Sequence, residues 1–103
     1  MARLEQLQQM LQEEPNDVFL QYAIAIEYFS VGNYEKALDC LKTIIQSNPD
    51  YLAAYYQTGK CHEELKQFEE AKNMYTKGVE LAQKQGNTKT RNELSEALFL
   101  LED

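Results

Sequence analysis

The sequence predicts an all-α protein, a stack of antiparallel helical hairpins with about six helices. Three observations predict it. The stretch 18–31, VFLQYAIAIEYFSV, has helical length, is bounded by Pro15 and Gly32-Asn33, and is polar only at Gln21, Glu27 and Ser30. A helix-turn-helix pattern recurs after 34 residues, laying Pro15 on Pro49, Ala25 on Gly59, Tyr34 on Phe68, Glu35 on Glu69 and Ala37 on Ala71. The breakers Pro15, Gly32-Asn33, Pro49 and Gly86-Asn87 fall between segments of helical apolar period.

Taken in order, residues 2–14 carry Leu4, Leu7, Met10 and Leu11 among Glu and Gln, the spacing of a helix with one apolar face. Asn16 or Asp17 is suited to cap the next helix through its side-chain oxygen. That helix, 18–31, has two apolar stripes. Leu20, Ile24, Ala25, Tyr28 and Val31 form one, and Phe19, Tyr22, Ile26 and Phe29 form the other. A single stripe suffices to seat a surface helix, so the second must be buried as well or offered to a partner.

Residues 34–47 place Tyr34, Ala37, Leu38, Leu41, Ile44 and Ile45 on one face, and the shifted pattern repeats over 51–65 and 68–85. Tyr28, Tyr34, Phe68 and Tyr75 are expected in the core. Gly86 serves as a left-handed stop and Asn87 as a cap for a last helix over 88–101, whose apolar set is Leu94, Ala97, Leu98 and Leu101. These fit the second unit only at a shift of 36, so residues 87–101 read as a capping helix. Phe99 and Leu100, off its main stripe, either close the groove or pair two copies.

These residues resemble the tetratricopeptide repeat family, whose unit is two helices in 34 residues. Ala25 and Gly59 match its small eighth position, Tyr28 its aromatic eleventh, Ala37 and Ala71 its small twentieth, and Pro49 its closing proline. Gln21 and Tyr55 depart from its tryptophan, and Gly78 is smaller than usual. The resemblance implies one domain over 1–103: a half repeat at 2–14, repeats at 18–51 and 52–85, and a cap at 87–101, wound as a right-handed superhelix. It also implies a non-catalytic scaffold that holds a peptide or partner helix in a groove lined by the inner helices. Carried onto this sequence, the groove positions are Phe19, Tyr22, Ile26, Phe29 and Ser30, then Ala53, Tyr56, Lys60, Glu63 and Glu64. Such a wall suits an apolar or basic segment, or a second copy of the chain. The family's carboxylate clamp is not expected, because Tyr22, Ile26 and Gln57 stand in its first three places and only Lys89 or Arg91 could supply a later one.

Other functions find little support in the residues. Ten Lys and Arg against 17 Asp and Glu leave a net charge of −7, which repels nucleic acid and anionic membranes. Residues 1–14 are too polar for a signal peptide, and no run approaches the ~18 apolar residues of a membrane span, so a cytoplasmic protein is expected. His62 lacks a second ligand one turn away and reads as a packed core histidine, with Cys40 and Cys61 as small core fillers. A metal or redox protein using Cys40, Cys61 and His62 is the competing class; no cofactor is expected. The doublets Glu13-Glu14, Glu63-Glu64 and Glu69-Glu70 point about 100° apart on a helix and read as solvated faces, not acid/base pairs.

Overall fold

Three helices start at a side-chain cap. Asp17 accepts from the Leu20 amide at 3.1 Å, Asn33 from Lys36 at 3.3 Å and Asn87 from Thr90 at 3.1 Å, each satisfying an amide that the first helical turn leaves unpaired. The computed structural model describes residues 2–102. They form α1 (Ala2–Glu13), α2 (Val18–Ser30), α3 (Tyr34–Ser47), α4 (Leu52–Glu64), α5 (Phe68–Gln85) and α6 (Thr88–Leu101). Among the described residues there is no strand, and no helix is long and apolar enough to cross a membrane.

Three of the turns use one closing device. After α2, the Gly32 amide donates to Phe29 O and the Asn33 amide to Tyr28 O, with Gly32 at φ 82°. These crossed bonds and the left-handed residue stop the helix and reverse the chain. The same pair recurs after α4 at Lys66 and Gln67, and after α5 at Gly86 and Asn87. This closure corrects two expected ends. Val31 lies outside α2 and is 75% exposed instead of joining its apolar stripe, and Leu65 lies outside α4 but stays half-buried against the core.

Each helix packs against the next along the chain, and the core is three overlapping clusters. Leu7 of α1 joins Leu20 and Ile24 of α2. Ala25, Ala37, Leu41, Ile44, Ala54 and Cys61 link α2, α3 and α4. Leu52, Ala71, Tyr75, Ala82 and Leu94 link α4, α5 and α6. Because neighbours share their buried faces, no hairpin completes a core alone.

The two hairpins pack by exchanged volumes. Ala25 and Leu41 are fully buried in the first, and Gly59 and Tyr75 hold the equivalent places in the second. A Cβ on Gly59 would lie 2.3 Å from Tyr75 Cε1, so the ring occupies the space that glycine vacates. Gly78 is filled in the same way from outside its hairpin. A Cβ there would meet Leu94 Cδ2 at 2.9 Å, and Leu94 is fully buried. The small residue that departs from the family pattern is therefore the seat of α6.

Phe68 and His62 are corrections to the expected core. Phe68 opens α5 and is 45% exposed. His62 is half-buried, with Nδ1 2.7 Å from Gln67 Oε1. This contact helps hold the turn after α4. Tyr28 and Tyr34 are half-buried rather than enclosed, whereas Tyr75 is fully buried.

Candidate functional site

The second stripe of α2 is not sealed by the chain itself. Phe19 is 69% exposed, and Tyr22, Ile26 and Phe29 are half-buried. Tyr22 meets Tyr51 edge-on with ring centroids 5.5 Å apart, and Phe29 meets Tyr34 at 5.2 Å. One side of each ring is thus anchored in the fold, a geometry that adds to the burial energy and fixes the rotamer.

Two adjoining hollows lie between α4 and α6, and the first reaches Tyr22 of this stripe. The first, about 250 Å³, is walled by Tyr22 of α2, by Leu52, Ala53 and Tyr56 of α4, and by Asn87, Thr90 and Glu93 at the start of α6. The second, about 270 Å³, runs from Tyr56, Lys60 and Glu63 of α4 to Glu93, Glu96, Ala97 and Leu100 of α6. Tyr56 and Glu93 belong to both. Of the residues expected at a groove, Tyr22, Ala53, Tyr56, Lys60 and Glu63 are brought together here. Phe19, Ile26 and Phe29 line neither hollow.

The contribution of α6 was not foreseen beyond Leu100. Thr90, Glu93, Ala97 and Leu100 recur at i, i+3, i+7 and i+10, the spacing of one helix face. That spacing could have revealed the wall, but only Ala97 and Leu100 are apolar, so a search for apolar stripes passes over it. Arg91 faces elsewhere, lining a separate hollow with Ala82, Gln83 and Gly86.

Polar contacts set the chemistry of the second hollow. The Tyr75 hydroxyl donates to Glu63 Oε2, and burial, followed by that hydrogen bond, pushes the phenol pKa far above its usual value. Lys60 Nζ sits 5.8 Å from the centroid of the Tyr56 ring, within cation–π range. Cys61 beneath this face is fully buried, and burial pushes its thiol up to about 11, with the Glu64 charge adding to the shift. It is therefore a poor nucleophile or ligand at neutral pH. Cys40 is half-buried, and its pKa is also raised, chiefly by burial. Among the described residues no three His, Cys, Asp or Glu side chains group as metal ligands.

Residues 1–78 match the family model described as anaphase-promoting complex, cyclosome, subunit 3, a family of tetratricopeptide type. The chain belongs to this family. Solved structures agree on its tetratricopeptide repeat architecture. The solution structure of a tetratricopeptide repeat domain protein from Salinibacter ruber is 34% identical over 85% of this chain and 89% of that one, with a TM-score of 0.81. Its crystal structure gives 32% identity, coverage of 84% and 96%, and a TM-score of 0.78. A protein from Bordetella parapertussis, 24% identical, shares the fold over 98% of this chain and 88% of its own with a TM-score of 0.88. No curated protein matches the sequence. Tetratricopeptide repeats commonly mediate protein–protein interaction and are typically non-catalytic scaffolds.

Proposed function

We propose that this tetratricopeptide repeat chain is a non-catalytic scaffold that holds the apolar face of a partner peptide or helix in the groove between α2, α4 and α6. The observation that carries the reading is the pair of hollows sharing the Tyr56 wall, the first of which reaches Tyr22 of the α2 stripe. An anchored aromatic next to an open concavity is the arrangement from which binding hot spots are made. Phe19, Tyr22, Ala53 and Tyr56 make the apolar contacts, Lys60 and Glu63 flank them, and Ile26 and Phe29 back the stripe. The family description, which names a subunit of a complex, supports a role in assembly. Two free cysteines suit a reducing compartment such as the cytoplasm.

A second copy of the chain is the competing occupant. Phe99 and Leu100, 72% and 73% exposed on α6, offer it apolar surface, while the net charge of −7 opposes close approach of two copies.

Ala53 gives the cleanest test because it is exposed and lies at the first hollow, whereas Tyr22 and Phe29 also pack on the core. Ala53→Gln fills that hollow with a polar chain and leaves the helix intact. A fluorescently labelled amphipathic peptide, leucines on one face and glutamines on the other, should bind the wild type and bind the variant about tenfold more weakly, roughly 1.4 kcal/mol. Equal binding by the two proteins, with matching circular dichroism, would overturn the reading. Sedimentation should find the free chain monomeric; a concentration-dependent dimer abolished by Ala53→Gln would assign the groove to a second copy.

A further inference from the structure

Resting on the groove reading above, we infer that the α4–α6 end of the groove receives a cationic side chain, arginine in preference to lysine, carried by a basic amphipathic segment of a partner protein. The second hollow has room for one long side chain, at about 270 Å³. Its wall is apolar where a stem would lie, at Tyr56, Ala97 and Leu100, and its charged groups are Glu63, Glu93 and Glu96 against the single ammonium of Lys60. Among the described residues no ion pair neutralises that excess of negative charge. Lys60 sits over the Tyr56 ring, and among the described residues the ion pairs are Arg3–Glu27 and Lys72–Glu69, both away from the hollow. Glu63 is held by the Tyr75 hydroxyl at Oε2, which orients the carboxylate and leaves Oε1 to accept from another donor.

Three carboxylates beside one aromatic face match a guanidinium better than an ammonium. A guanidinium can stack on the Tyr56 ring while its fork of N–H groups bonds a carboxylate in two places. An ammonium is a point charge, with neither a planar face for the ring nor a fork for the carboxylate. The charge balance also selects the class of partner, since a second copy, a nucleic acid or an anionic lipid surface would bring further negative charge to a chain already at −7.

The test uses the full chain and three labelled peptides: the neutral leucine–glutamine peptide, its twin with arginine at the glutamine positions, and its twin with lysine there. The arginine peptide should bind about tenfold tighter than the neutral one and tighter than the lysine one, with an advantage that shrinks as salt rises. Replacing both Glu93→Gln and Glu96→Gln should remove most of that advantage, read as the ratio of arginine-peptide to neutral-peptide affinity. Both residues are exposed, so the double variant should fold, as circular dichroism will check. The control pair Glu69→Gln and Glu70→Gln, exposed on α5 outside the hollow, should leave the advantage intact. The inference is overturned if arginine confers no advantage, if the advantage survives loss of Glu93 and Glu96, or if the control pair removes it equally. Neutral-peptide binding that Ala53→Gln weakens, without an arginine advantage, would sink the cation site alone; no binding by any peptide would sink the groove with it.

Discussion

Lys66 holds a left-handed backbone at φ 63° in the place where the preceding hairpin has Gly32 at 82° and the following turn has Gly86 at 69°. All three close a helix through the same crossed amide bonds, so the geometry is imposed by the turn and not chosen by the residue. A Cβ in that region costs about 1–2 kcal/mol, of which glycine's greater freedom in the unfolded chain would return about 0.5–1. Lys66→Gly should therefore stabilise the protein by up to about 1 kcal/mol, raising Tm by a few degrees in a thermal melt. An unchanged or lower Tm would mean that the Lys66 side chain contributes something the turn geometry does not reveal. At this scale the sequence was partly legible. Asn87 announced its cap by residue type and Asp17 shared that expectation with Asn16, while Asn33 read only as part of a breaker; Lys66 hides a glycine's position, and Val31 looked like a stripe residue because apolar period alone cannot place the turn that ends a helix.

Among the elements, α6 depends on a single small residue of its neighbour. Leu94 enters the space above Gly78, and Ala97, Leu98 and Leu101 pack on the same cluster; full burial of one such leucine contributes about 1.5–3 kcal/mol. Alanine at Gly78 would gain helix propensity while pressing on the flexible end of Leu94, two effects of similar size and opposite sign. Valine adds branches that also crowd Tyr55 Cβ, which lies 3.3 Å from the site. Gly78→Val should expel Leu94 at a cost of about 1–3 kcal/mol. Hydrogen exchange should show faster opening of α6 than of α2 and α3, and peptide binding should fall because α6 supplies one wall of both hollows. Unaltered α6 protection would count against Gly78 as its seat. The existence of this helix was readable from Gly86-Asn87 and the leucine spacing. Its role at the groove was not, because Thr90, Glu93 and Glu96 are ordinary surface residues until Tyr56 is placed opposite them.

Across the whole molecule, 42 × 29 × 20 Å in extent, tyrosines sit at the joints between helices. Tyr22 of α2 meets Tyr51 at the entry to α4, Tyr55 of α4 donates to Pro49 O at 2.5 Å, and Tyr75 of α5 reaches Glu63 of α4. All four phenols are raised above the usual value near 10: burial is the largest cause in each, followed by Tyr51 for Tyr22, Asp17 for Tyr51, Asp50 for Tyr55 and the Glu63 hydrogen bond for Tyr75. A phenol that stays protonated in the fold but ionises in the unfolded chain makes the native state the one with more bound protons, so stability falls as pH rises. The contribution is complete below about pH 10, the unfolded value, and is lost above it as pH climbs through the folded values. Because adjoining helices share their buried faces, a joint that fails exposes both neighbours, and the array should unfold together rather than helix by helix. Urea midpoints measured from pH 7 to 11 should stay level and then drop steeply above about pH 10, with Tyr75→Phe, which removes the phenol that hydrogen-bonds a carboxylate, starting lower at neutral pH and falling less steeply. Parallel curves for the two proteins would show that Tyr75 ionises as readily in the fold as outside it, and would overturn the role assigned to its burial against Gly59 and its bond to Glu63.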